Sequence, residues 1–532
     1  MSSWTCDGVP KDGKQYPGAS PHTPQQNTGP DCIICGLPQE AMQPGKTGNK
    51  PAKTVVAGSS SNGTPAWLVP VMIVVALLLI GGGVGSYLLL KPKNQPLESI
   101  SSPSPTDTTV NPTQGENVSR GEQILLKPTP NKEAGAKAFE QKNWPEAIAS
   151  YQTAVKEDPN DPEGLMYLNN SKAQKAGNPI TIAVAVPTTI SADSAAEILR
   201  GVAKYQTEYN QSSPPSGRLL EVAIIDSSDP MKAPNIAQEI INTADILGIV
   251  GYGIDPGSQA ALKQYEQAGI AVLSPLTSSF NKTGGKPTLR TISVEQKGDE
   301  LLVNYLQAVG KTLTQYASKQ QPSPAIVLFS NPDSSYSQQL QQEIINSLPA
   351  VKGTVIEQID INSPNFNPGD AISSAQQKGA KIAILALSKN QVTKAVEIAK
   401  ANQNSASPLI LMGGDELYNA DILVKGGDAI AGMVLAVPWS FSPNDPFAKD
   451  AINSWKGRVS WRTATAYDAT KALIDTVSKT PDRAAIAQAF NQGVILTDST
   501  TNFNLFDEVP LVKAVKGNQG PKGSNYQFDP LK

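Results

Sequence analysis

The run Trp67 to Leu90, WLVPVMIVVALLLIGGGVGSYLLL, holds 24 residues without a charge. That is long enough to cross a hydrocarbon core of about 30 Å as a helix. Trp67 and Tyr87 stand where interfacial aromatics stand, and Lys91 and Lys93 close the far end. A cleaved signal peptide fits poorly, because the run is too long and a polar tail precedes it. The run therefore divides the chain into a tail (1–66), a membrane helix (67–90) and everything after it. Gly81 and Gly85 form a GxxxG pair, which supports helix pairing or simply supplies small residues. Lys50 and Lys53 before the run balance Lys91 and Lys93 after it, so charge leaves the orientation tied.

Composition narrows the chemistry. The 44 basic and 47 acidic residues give no basic surplus, which argues against nucleic acid as a partner. The three cysteines are Cys6, Cys32 and Cys35, and the one histidine is His22. From residue 36 onward, Cys- or His-based nucleophilic catalysis and His/Cys metal sites are excluded. No catalytic constellation is visible, and the chain is read as a non-enzyme that needs no cofactor.

The tail is rich in Pro, Gly, Ser, Thr, Asn and Gln and is expected to be mostly disordered. Cys32-Ile33-Ile34-Cys35-Gly36 is similar to one knuckle of a zinc ribbon, in which two thiolates at CxxC spacing share a tetrahedral ion. Cys6 and His22 would have to complete a structural zinc site. No second knuckle exists, so a free-thiol tail stands beside that reading. Residues 91–130 are Pro/Ser/Thr-rich and read as a spacer.

Residues 131–178 turn helical. Ala147, Ile148, Tyr151, Ala154 and Val155 share one helix face, and Pro159 ends it. Gly135, Ala147, Tyr151, Ala154 and Pro159 sit at the spacing of one tetratricopeptide repeat, which this segment resembles, although Asn131 and Ala138 depart from its pattern. A single repeat cannot bury its own face, so it is expected to pack on its neighbour or on a copy of itself.

Residues 179–532 alternate short apolar runs with helical patterns. ITIAVAVP, LLEVAIID, ILGIVGYG and IAVLSP come first; AIVLFS, Lys381–Leu387 and Leu409–Gly413 restart the series. This predicts two doubly wound α/β lobes with parallel sheets. The ordered segments AAEILRGVAKYQ, VAIIDSSDPMKAPNIAQEII, AGIAVLSPLTSS, LFSNPDSSYSQQL, LILMGGDELYN, GMVLAVPW and WRTATAYDATKALI resemble a type-I periplasmic binding protein of the branched-chain amino-acid-binding, ABC-importer family. That resemblance implies two lobes closing on a ligand, with three crossovers near Arg290–Val294, near Val437–Phe441 and in the last 40 residues.

It also implies a site. Ligands of open α/β sheets bind beyond the C-terminal strand ends. By the resemblance, Ser278, with Leu276 and Thr277 beside it, contacts the polar end of an amino acid. Tyr336 reaches across, and Asp415, with Glu416 adjacent, pairs with an ammonium. Asp255 stands where the family has a carboxylate-binding Ser, followed by Ser258, and Ser388 stands where a second aromatic is frequent. A second carboxylate at Asp255 would repel a ligand carboxylate by about 4 kcal/mol at 4 Å and an effective dielectric of 20. A cationic, amide or N–H-rich ligand is therefore expected over leucine, unless Asp255 only caps its helix. Two functions follow from the sequence: an anchored solute-binding protein that serves an ABC permease, or a receptor that senses a ligand through the same cleft and reports through the helical repeat or the tail. Either reading places the tail in the cytoplasm and the C-terminal domain in the periplasm or outside the cell.

Overall fold

The computed structural model describes residues 4–6, 9–11, 25–27, 32 and 37–42 of the tail. It also describes 117–531 apart from 215, 254–255, 276–278, 284–285, 293–297, 443 and 498–508. The apolar run 67–90 lies outside the described residues, and among these no helix is long and apolar enough to cross a membrane. The chain divides into two units, Met1–Asp107 and Thr108–Lys532.

The described residues of the tail hold a strand pair and a small buried cluster. β1 (Trp4–Cys6) pairs antiparallel with β2 (Gln25–Asn27). Cys6, Cys32, Leu37 and Ala41 form a small buried cluster flanked by Trp4 and Met42. The two buried thiols thus lie in one cluster. Cys35 and His22 lie outside the described residues.

In the second unit the first sheet runs β3-β5-β4-β6-β7. β4 (Ile180–Val186), β5 (Leu220–Asp226), β6 (Ile246–Gly251) and β7 (Val272–Leu273) are parallel, as their apolar runs predict. Every residue of β4 is buried, because helices cover both faces of the sheet. Each fully buried Val or Ile there contributes about 1.5–3 kcal/mol of transfer free energy. β3 (Val118–Ser119) is an addition to that plan. It pairs antiparallel with β5 and closes the sheet edge.

The second sheet runs β11-β10-β12-β13-β14-β16-β17. β10 (Ala325–Ser330), β12 (Ile382–Ala386) and β13 (Ile410–Gly413) are its parallel centre. β11 (Thr354–Asp360) and β14 (Val434–Ala436) join them in parallel. β16 (Leu511–Lys516) and β17 (Tyr526–Pro530) are antiparallel, so this lobe is mixed rather than wholly parallel. β8 (Phe280–Thr283), β9 (Lys286–Leu289) and β15 (Val494–Ile495) form a third, small antiparallel sheet.

Among the described elements the chain changes lobe three times. It leaves the first lobe after β9 and returns after β14 to α13 (Trp461–Val477), which packs on α4 (Ala192–Gln211). It leaves again between β15 and β16. Gly201 makes the α4–α13 approach close: a Cβ there would strike the Thr463 carbonyl and the Tyr467 nitrogen.

The helical unit packs on the first lobe, as expected of a lone repeat, and its leader pairs with the edge of that lobe's sheet. α1 (Pro130–Glu140), α2 (Trp144–Glu157) and α3 (Pro162–Ala176) form where the periodicity places them, capped by Thr129 and Asp161. Residues 117–128, read as spacer, instead run against these helices. The Tyr151 hydroxyl donates to the Gly121 carbonyl at 2.5 Å, and Leu125 N–H donates to Glu163 at 2.6 Å. Lys132 is 1% exposed and pairs with Glu163 (2.5 Å) and Asp161 (2.8 Å). α3 is stitched to the sheet by Asn170. Its amide donates to the Arg120 carbonyl (2.6 Å) and the Val222 carbonyl (2.8 Å), while its Oδ1 accepts from Val222 N–H (2.9 Å) and Gln206 (2.7 Å). A repeat that cannot bury its own face has used the neighbouring sheet instead.

Asn170→Ala leaves four buried polar groups short of a partner and should cost about 2–4 kcal/mol. Urea unfolding followed by circular dichroism and by tryptophan fluorescence should show both signals shifting together to a lower midpoint. Separate midpoints would mean that the helices are an independent domain.

Candidate functional site

The strand ends of the second lobe place its polar residues. β13 ends in Gly413-Gly414, and the chain then turns through Asp415–Leu417 in one 3₁₀ turn. α8 (Ser335–Ser347) begins beside it, with Ser334 accepting from Ser337 N–H at its N-terminus. The Ser337 hydroxyl also bonds the Ala386 carbonyl at the end of β12. Tyr336, on the first turn, is thereby aimed across β13, and its hydroxyl donates to Asp415 Oδ1 at 2.9 Å. Gly414 is required for this contact, since a Cβ there would occupy the place of the Tyr336 hydroxyl.

Asp415 is 3% exposed. Burial first, then the Glu416 charge, push its carboxyl up to about 7, against the pull of Tyr336 and Arg462. Burial and the same carboxylates push the Tyr336 phenol up. Tyr305 is fully buried, and burial, followed by the Asp415 charge, pushes its phenol up. Glu416 Oε2 accepts from Lys389 N–H at 3.1 Å, tying this turn to the one after β12. Ser388 is used in that turn as a cap, with Gln391 returning to its N–H at 3.1 Å.

In the first lobe the loops after β6 and β7 are held together. Ser274 Oγ donates to the Tyr252 carbonyl at 2.9 Å, Ser274 N–H donates to Ser279 at 2.7 Å, and Gly253 N–H donates to Ser258 at 3.2 Å. The buried Ser258 hydroxyl thus meets its own loop's backbone. Asp255, Leu276, Thr277 and Ser278 lie outside the described residues.

Sequence reasoning missed Arg462. It sits on the first turn of α13, 1% exposed, with its guanidinium 4.5 Å above the Trp461 ring. Nη1 donates to Glu197 of α4 (3.1 Å) and to the Tyr418 carbonyl (2.8 Å). One side chain on a helix of the first lobe thereby touches the second. The neighbouring Thr465 hydroxyl donates to the Pro275 carbonyl at 2.5 Å, placing this turn beside the loop after β7. Burial opposes the Arg462 charge, but Glu197, Glu416 and Asp415 together hold its pKa above the usual value. Burial raises the Glu197 carboxyl despite Arg462. The available signal was a lone arginine in WRTATAYDATKALI, on a helix buried nearly all round.

Two lobes with three crossovers and polar side chains gathered at their C-terminal strand ends define a bilobed ligand-binding protein. The chain belongs to the periplasmic binding protein family, whose sequence model, described as "Periplasmic binding protein", matches residues 179–507. Several solved structures are similar to this chain. The ABC transporter substrate-binding protein of Desulfitobacterium hafniense, in complex with Leu, is 20% identical, covering 66% of this chain and 100% of its own, with a TM-score of 0.48. The branched-chain amino acid transporter substrate-binding protein of Streptococcus pneumoniae, in complex with isoleucine, is 15% identical over 66% and 100%, with a TM-score of 0.50. A solute-binding protein of Rhodopseudomonas palustris, in complex with 3,4-dihydroxybenzoic acid, is 15% identical over 66% and 96%, with a TM-score of 0.49. No curated protein matches this chain.

Asp415 yields a prediction. The folded carboxyl binds its proton more tightly than an unfolded Asp near pH 4. Its contribution to stability is therefore greatest below about pH 4, declines as pH rises toward 7, and levels off above that. Asp415→Asn should flatten the melting temperature between about pH 4 and 7 and gain on the unmodified protein at pH 8. An unchanged slope would mean that another group titrates there.

Proposed function

We propose that the chain is a membrane-anchored extracytoplasmic solute-binding protein of ABC-importer type, closing its two lobes on an amino-acid-like ligand. The observation that carries this reading is the Tyr336–Asp415 pair, held at the strand ends of a family built for binding small molecules. Asp415 supplies an acceptor for an ammonium or amide N–H, and a bound cation would keep it ionised. Anchoring rests on the apolar run 67–90, with the tail inside and the binding lobes outside. Sensing through the same cleft is the second reading. The helices it would report through resemble a tetratricopeptide repeat, but their inner surface already receives residues 117–128 of the same chain, which weighs toward transport. In the tail, Cys6 and Cys32 share one buried cluster, which supports a structural zinc site.

Thermal-shift measurements on the full chain with the standard L-amino acids and their amides should find at least one stabilising ligand. For it, Tyr336→Phe and Asp415→Ala should each weaken affinity roughly tenfold or more, as expected for charge-assisted hydrogen bonds. A ligand whose affinity neither change alters would place the binding site elsewhere.

The anchor is tested separately. Protease added to intact cells should remove the C-terminal unit and leave a small protected tail fragment. A mature soluble chain starting near Lys91 would refute it.

A further inference from the structure

Arg462 is nearly inaccessible, yet its Nη2 has no hydrogen-bond partner. Nη1 alone holds Glu197 and the Tyr418 carbonyl. The Trp461 indole N–H, on the same turn and under the same guanidinium, is also without an acceptor. Buried donors left unmade are costly and call for an acceptor that the protein itself does not supply. Their place in the fold is specific. The turn is pinned to the loop after β7 through Thr465 and Pro275, and to the loop after β13 through the Tyr418 carbonyl. Asp415 and Glu416 lie near enough to act on the Arg462 charge.

We propose that Arg462 holds the acid group of the ligand, so that the cleft selects molecules with a free carboxylate. This rests on the reading of the cleft as an amino-acid-like solute site. Its unpartnered Nη2 offers a carboxylate charge-assisted N–H donors. An α-amino acid would then be held at both ends, carboxylate on Arg462 and ammonium on Asp415. The structure thus provides a positive partner for the acid end, which the sequence, having lost the family's Ser at Asp255, did not reveal. The repulsion expected from Asp255 alone no longer decides against a zwitterion.

Calorimetry on the full chain, with leucine, lysine and phenylalanine each compared with its own amide, tests the assignment. At least one acid should bind roughly ten- to a hundredfold more tightly than its amide, the worth of a hydrogen bond to a charged group. In Arg462→Gln that ratio should fall to near one. Arg462→Lys, which keeps the charge without the planar fork, should narrow the ratio without abolishing it and serves if the first variant fails to fold. An amide that binds as well as its acid in the unmodified chain overturns the assignment and leaves the solute-binding reading standing. A ratio unchanged in either folded variant also overturns it, by giving the acid group to another residue. If none of the three acids or amides binds, the amino-acid reading of the cleft and this assignment fall together.

Discussion

The contact between α4 and α13 is the constraint on which the two-lobed arrangement depends. The partners come from opposite ends of the binding domain. They meet so closely at Gly201 that no side chain larger than hydrogen fits between them. Because α13 must return to α4, the chain is obliged to cross between lobes a second time, and β16 a third. The same return carries Arg462 and Thr465 to the mouth of the first lobe, where one meets Tyr418 and the other Pro275. A close backbone approach between helices therefore fixes both the return of the chain to the first lobe and the position of an arginine that touches the second.

Charge is buried in this molecule where two elements have to be held in register. Lys132 with Glu163 fixes α1 to α3, and Arg120 reaches the fully buried Glu221 (2.9 Å) from beside the edge strand β3. Such pairs add little net stability once desolvation is counted, but breaking one leaves a buried charge uncompensated. Asp415 is the contrast. It accepts from a neutral tyrosine, and burial, then the Glu416 charge, move its titration toward neutrality. Glu163 and Glu221 are each paired with a cation, whereas the candidate site carboxylate accepts from a tyrosine.

The apolar parallel strands were legible in the sequence because burial on both faces writes itself as runs such as ITIAVAV and AIVLFS. β11 escaped notice for the opposite reason. As an edge strand with mixed exposure, TVIEQID carries no apolar run. β3 was hidden in a Pro- and Ser-rich stretch, since two residues that borrow the hydrogen bonds of an existing sheet need no hydrophobic signal of their own. Tyr336 and Asp415 could be placed through the family resemblance, and the structure brings them to hydrogen-bonding distance. Arg462 could not, because its role depends on a helix returning from more than 250 residues along the chain to meet Glu197. Spacing in sequence carries no trace of such an encounter.

Residues 117–128 have a mechanical consequence. They are bonded to the helices and to the sheet edge of the first lobe. Any restraint on residues 117–128 would therefore act on that lobe. Among the described residues, the second lobe is joined to it by the three crossovers and by contacts such as the Arg462 bond to the Tyr418 carbonyl. Hinge motion would swing this second lobe, like a jaw, against a fixed one, carrying Tyr336 and Asp415 with it.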